Sequence, residues 1–261
     1  MSFNPKKSMD RTVQFYSTQQ LDKALKEIQP LLKAFPNDAA VNHLYACILK
    51  SGNEHLRAIE YFNKALFANS KNINVWNDLG CLYKDITSYD KAISCFEKAL
   101  DINEKHPQAL MNLGNVYHKQ QRYNLAVKYL EKGIEIQPNN AMAYFSLGNI
   151  HKSANQIELA VLNYKKSLSI NPKNHKAHYN LALALKDYGD LTLAIECSKQ
   201  AIELQPNYVL AVMLLGELNE YIGNLDTAKS YYRKALALSP SFTEAYWSLA
   251  NLGNNNLTTS D

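Results

Sequence analysis

Histidines, cysteines and lysines are the side chains here whose types could carry chemistry, and their spacing decides which chemistry. His175 and His178 sit three apart, which would place two metal ligands on one helix face. No third Cys, His or carboxylate pattern joins them, so a polar helix start is the simpler reading. Cys47, Cys81, Cys95 and Cys197 form no C-x-x-C pair and no metal-like spacing, and buried, reduced thiols are expected. Cys47 and Cys81 lie 34 residues apart with no activating base in the pattern and read as inert. No glycine-rich phosphate loop, G-x-S-x-G elbow or H-E-x-x-H occurs. The expectation is a non-enzyme with no catalytic residue, no metal and no cofactor.

Binding chemistry is another matter. Lys50, Lys84, His118, Lys152 and Lys186 recur every 34 residues, and the series then switches to Glu220. A period of that length needs a repeated structural element to bring the cations into one row. Three further series share the register. Pro138, Pro172, Pro206 and Pro240 are 34 apart, with Pro36 three periods upstream of Pro138. Ala58, Ala92, Ala126, Ala160, Ala194 and Ala228 form a small-residue series, and Ala46, Gly80, Gly114, Gly148, Ala182, Gly216 and Ala250 another.

Within one repeat the apolar spacing is helical. Trp76, Leu79, Gly80 and Tyr83 fall on one helix face, and Tyr89, Ala92, Phe96 and Ala99 on a second. Small residues in both helices would let the two approach closely, beside a large side chain such as Phe96. Gly189 and Gly223 mark the turn in two copies, while Gly52 stands one position out of register. Pro138-Asn139-Asn140 and Pro172-Lys173-Asn174 each end one unit and supply an Asn cap for the next helix.

Trp76-Asn-Asp-Leu79-Gly80-Cys-Leu-Tyr83, repeated in part as Leu113-Gly114-Asn-Val-Tyr117, resembles the signature of the tetratricopeptide repeat. The resemblance covers about 5–252 and implies an all-α, right-handed α-solenoid of about seven helical hairpins. Units are expected at about 5–38, 39–72, 73–106, 107–140, 141–174, 175–208 and 209–242. They would form a single domain over 1–252, with a capping helix at 243–252 and a disordered tail at 253–261. The first unit is degenerate, with Thr12 at the Gly/Ala position.

The resemblance also implies that the first helix of each unit lines a concave groove. The residues it points there include the lysine row with Asn77, Asp78, Asn112, Asn115, Phe145, Asn149, Lys176, Tyr179 and Asn180. An Asn amide offers a donor and an acceptor, as a peptide backbone does. Similar asparagine rungs line the repeat region of O-GlcNAc transferases. Helices about 10 Å apart would meet an extended strand, rising about 3.3 Å per residue, at every third residue or so. An extended peptide with acidic groups is the partner that fits, although a lysine row inherited by duplication can equally be a solvated face. The five-residue carboxylate clamp of chaperone-binding repeats maps here to Met111, Asn115, Ser146, Lys176 and Asn180. Only Asn115 and Lys176 match it.

Bulk composition narrows the function classes. A net charge of +4 spread along 261 residues argues against a nucleic-acid or membrane-surface role. Most of the seventeen tyrosines fall on core positions, and the start of the chain shows no signal peptide, so a cytoplasmic location is expected. Three functions fit: an adaptor holding another protein, the substrate-recognition region of a larger glycosyl- or sulfotransferase, and a self-associating module. The second rests on Phe242 to Leu252, which resembles the junction where repeats lead into catalytic domains. The third rests on Tyr246 and Trp247, and implies a monomer or weak homodimer through the terminal units.

Overall fold

The computed structural model describes residues 4–254. They hold fifteen α-helices and no strand. The chain divides into two compact units, residues 1–136 and 137–261. The first contains α1 (Pro5–Ser17), α2 (Leu21–Ala34), α3 (Ala39–Ser51), α4 (His55–Ala68), α5 (Ile73–Asp85), α6 (Tyr89–Ile102), α7 (Pro107–Lys119) and α8 (Tyr123–Ile136). The second contains α9 (Ala141–Ser153), α10 (Ile157–Ile170), α11 (His175–Tyr188), α12 (Leu191–Leu204), α13 (Val209–Tyr221), α14 (Leu225–Leu238) and α15 (Thr243–Asn254). Each odd helix from α1 to α13 pairs with the even helix after it. Within a unit, successive odd helices also touch, as α3 with α5 and α11 with α13. The odd helices therefore make one row in each unit. The tail expected at 253–261 lies outside the described residues from 255 onward.

Local chemistry repeats with the period. The side chains of Asn4, Asp38, Asn72, His106, Asn140 and Asn174 each accept a backbone N–H from the first turn of the odd helix that follows. Tyr208 occupies the seventh such place and makes no side-chain cap. Its ring instead packs edge-on against His175 and Tyr179, with centroids 5.1 and 5.2 Å away.

Every hairpin turns through one residue with positive φ: Gln19, Asn53, Thr87, Gln121, Asn155, Gly189 and Gly223. The following N–H then bonds the carbonyl five residues back, as in Ser88 to Tyr83 at 2.8 Å and Asp190 to Leu185 at 2.9 Å, the closure of a Schellman turn. Glycine is thus not needed to make the turn. Gly52 is not a displaced turn glycine, because its φ is −85° and Asn53 beside it makes the turn.

The two helices of a hairpin meet at the small residue of the odd helix. A Cβ added to Gly80 would lie 2.6 Å from the Phe96 ring, and one on Gly148 only 2.5 Å from Tyr164. Gly114 faces Leu130 and Gly216 faces Tyr232 in the same way. On the opposite helix Ala24, Ala58, Ala92, Ala126, Ala160, Ala194 and Ala228 are wholly buried. Thr12, the exception in the first hairpin, is also wholly buried, and its hydroxyl donates to the Ser8 carbonyl at 2.8 Å.

Two predictions follow from the hairpin geometry. Gly148→Ala should lower stability by about 1–3 kcal/mol, because the Tyr164 hydroxyl is tied to Asn149 and its ring cannot retreat. Gly80→Ala should cost less, since Ala46 and Phe62 already share that register in the α3–α4 hairpin and alanine favours the helix by about 1 kcal/mol. Equal losses in urea melts would contradict this. Thr87→Gly should raise stability by about 0.5–1 kcal/mol, relieving a β-branched residue held at φ 60° at the cost of some chain entropy.

Candidate functional site

The odd-helix rows carry all fourteen candidate binding residues, and all but Lys176 are half-buried. Lys176, at the exposed start of α11, has its backbone N–H bonded to the Asn174 side chain.

One rule governs the rungs in both units. The sixth residue of an odd-helix repeat reaches back to the ninth of the preceding repeat, and in the first unit also to the fifth. In the first unit Asp78 Oδ2 of α5 lies 2.8 Å from His43 Nε2 of α3, and accepts from the Cys47 thiol at 3.8 Å. One step on, Asn112 Nδ2 of α7 donates to Asn77 Oδ1 at 2.9 Å and to Cys81 Sγ at 3.3 Å. In the second unit Asn180 Nδ2 of α11 donates to Asn149 Oδ1 of α9 at 2.8 Å, and that oxygen also accepts from Tyr164 at 2.8 Å. Asp78, Asn112 and Asn180 are therefore cross-braces between helices.

The lysines are also engaged. Lys50 Nζ lies 3.2 Å and Lys84 Nζ 3.9 Å from the Asp85 carboxylate. In the second unit Lys152 Nζ is 3.9 Å from Asp187, and Lys186 Nζ is 2.7 Å from Glu217. A row that reads as basic by lysine spacing is an alternation of cations and carboxylates. Burial pulls the Lys152 amine below the usual lysine range, and neighbouring Lys186 adds to this against the opposing pull of Asp187. Burial and Lys119 likewise lower His118.

Apolar groups flank the rungs. Phe145 tilts over Tyr164 with ring centroids 5.9 Å apart. Tyr179, whose phenol is pushed up to about 12 chiefly by burial, abuts Tyr208. Asn115 lies half-buried on α7. A concavity of about 570 Å³ in the second unit is lined by Gln137 to Met142, Asn171 and Asn174, none of them a rung residue.

Chemistry beyond binding finds little support in these groups. Burial pushes the Cys47 and Cys95 thiols up to about 12 and Cys197 to about 11, so all three stay protonated and weakly nucleophilic near neutrality. His175 and His178 do not converge on a ligand. One packs edge-on against Tyr208, and a ring nitrogen of the other lies 2.9 Å from the Pro172 carbonyl. His43, Asp85, Asp187 and Glu217 are rung residues that lysine and asparagine spacing alone did not reveal. Their signal was the thirteenth, fifth and ninth repeat positions read across neighbouring copies. Among the described residues, no helix is long and apolar enough to cross a membrane.

Comparisons with known proteins agree with this architecture. The family model described as "Cilia and flagella-associated protein 70 middle TPR-like domain" matches residues 49–167. Tetratricopeptide repeat models match 148–189, 175–208 and 211–242. No curated protein matches the chain. Among solved structures, the chain is similar to MamA at 25% identity and TM-score 0.59, covering 64% of this chain and 97% of that one. It is similar to YrrB, described as a TPR protein with an unusual peptide-binding site, at 22% identity and TM-score 0.60, covering 72% and 96%. A tetratricopeptide repeat protein from Parabacteroides merdae matches at 16% identity and TM-score 0.71, covering 95% and 98%. With its helical hairpins in one 34-residue register and repeat models matched from residue 49 to 242, the chain is a member of the tetratricopeptide repeat family.

Proposed function

We propose that the chain is a non-catalytic scaffold that holds an extended segment of another protein along its odd-helix rows. The observation that carries this is the Asn149–Asn180–Tyr164 cluster. Its bonds fix both amides, and leave the Asn149 N–H groups and the Asn180 carbonyl oxygen outside the cluster. One donor and one acceptor held in place match the backbone of a peptide of any sequence. Phe145 and Tyr179 supply apolar contact beside them. The peptide-binding site described for YrrB, which shares the fold, supports the same reading.

Acidic groups on the segment are the finer part of the proposal. A carboxylate entering the row competes with Asp187 for Lys152 and with Glu217 for Lys186. Exposed pairs of this kind are each worth about 0.2–1 kcal/mol, so the exchange is close to neutral and salt weakens it. Lys152 is the cation most improved by a ligand, because its own carboxylate does not offset its burial. A cytoplasmic site of action belongs to the same reading.

The test is selection from a random-peptide display library. Wild type should enrich extended sequences containing Asp or Glu. Asn149→Ala with Asn180→Ala should weaken binding of the selected peptides about tenfold. Identical recovery by that double variant would refute the proposal. Lys152→Met should also weaken binding while its melting temperature holds or rises. The lowered amine penalises the fold fully below its folded pKa, and the penalty fades as pH climbs toward the ordinary 10.5. The stability gap between Lys152→Met and wild type should therefore shrink between about pH 7 and about pH 10.

A second reading, weak self-association, is favoured by one observation: on α15, Tyr246 and Trp247 are 55% and 71% exposed. Ala245 and Leu252 of the same helix are buried in the core of the second unit, so Trp247→Glu should leave the helix in place. Wild type should sediment faster with rising concentration and this variant should not. A concentration-independent wild type would remove the reading.

A further inference from the structure

The rung between α3 and α5 differs in kind from the others. Asn112 and Asn180 present amides to their preceding helices, but here the meeting groups are an imidazole, a thiol and a carboxylate. The ligand atoms of His43, Cys47 and Asp78 all lie within 4.8 Å of one another, and all three residues are half-buried. His43 and Cys47 are four apart on α3, which sets both on one face one turn apart, while Asp78 arrives from α5. Two helices already held together by the fold thus deliver three Lewis-basic groups to one point. We infer that His43, Cys47 and Asp78 form a binding site for a divalent transition-metal ion of the zinc class. This does not rest on the peptide reading.

The geometry needs little change to admit the ion. Bonds of about 2.0–2.3 Å in a tetrahedron set ligand atoms about 3.3–3.7 Å apart. His43 Nε2 and Asp78 Oδ2 are now 2.8 Å apart, and Cys47 Sγ and Asp78 Oδ2 3.8 Å. The remaining pair, His43 and Cys47, lies within 4.8 Å, so side-chain movements on the order of 1 Å meet that requirement. A thiol and an imidazole among the donors select zinc or cobalt over magnesium or calcium, which take oxygen ligands in larger number. Three protein ligands leave a fourth position for water.

Charge balances at the site. His43 gives up its Nε2 hydrogen bond to Asp78: the ring proton shifts from Nε2 to Nδ1, and the freed Nε2 lone pair binds the ion. The Cys47 thiol exchanges its proton for the metal, forming a sulfur–metal bond and releasing one proton to solvent. The divalent ion, one thiolate and one carboxylate then sum to zero, which suits a half-buried position. Lys50 is the nearby cation, and it is already paired with Asp85 at 3.2 Å.

The experiment uses the reduced 261-residue chain and cobalt(II) as the probe. One equivalent should bind with a thiolate-to-cobalt charge-transfer band and the visible bands of tetrahedral coordination. Uptake should release about one proton, and zinc should displace the cobalt. Cys47→Ser and Asp78→Asn, each with the wild-type circular dichroism spectrum, should lower cobalt affinity by about 100-fold or more. Cys81→Ser and Cys95→Ser should leave the bands unchanged. Absence of the charge-transfer band in wild type overturns the inference. So does its survival in Cys47→Ser, or its loss in Cys81→Ser.

Discussion

The close approach of two helices within a hairpin is the constraint on which the other features depend. Where Gly80, Gly114, Gly148 and Gly216 stand, there is no room for a Cβ against the Phe, Leu or Tyr sixteen residues later. That contact fixes how far the even helix stands from its odd partner and at what rotation. The rotation in turn determines which residues of the odd helix face the next odd helix and which face solvent. Tyr164 shows the coupling in one side chain. Its ring fills the space over Gly148, and its hydroxyl reaches through to hold Asn149 in the odd-helix row. A packing residue and a positioning residue are here the same residue.

A row of cations at every repeat would repel itself, and the fold answers with carboxylates from neighbouring helices. Asp85 and Asp187 share the thirteenth repeat position and Glu217 holds the ninth, and each lies within ion-pair distance of a row lysine. On the proposed binding reading, the same pairing would make an acidic ligand a competitor rather than a newcomer. Affinity would then come from several modest exchanges, and selectivity from where compensation is weakest. Lys152 is that place in the second unit.

The helices, their pairing and their caps were legible because each is written in residue type at a fixed interval. Gly148 and Ala160 announce close packing, and Asn140 and Asn174 announce helix starts. The turns were only partly legible, since the left-handed position is filled by Gln, Asn or Thr in five hairpins and by glycine in two. The closing hydrogen bond, which no residue type encodes, holds them there. The lysine row was legible as a row but not as an ion-paired one, because the partners of Lys50, Lys152 and Lys186 sit 35 or 31 residues away rather than 34. The His43–Cys47–Asp78 rung was hidden for the same reason. Its members occupy different repeat positions, so a search for ligands of one type at one spacing passes over them. Tyr208 is the reverse case, a cap position whose sequence breaks the rule while its ring packs on α11, the preceding odd helix.

Those offsets of 31 and 35 residues bear on how the chain reaches its structure. Every side-chain bond between neighbouring odd helices described above closes a loop of about one repeat, and the bonds within a hairpin close shorter ones. Loop closure of that length is cheap in entropy, and its cost does not grow with the size of the protein. A topology built from such loops has low contact order, which goes with rapid folding. Any hairpin can begin the process, and each completed one offers a finished face to the next. A chain leaving the ribosome could therefore lock its repeats in order of synthesis, without waiting for a distant segment to arrive.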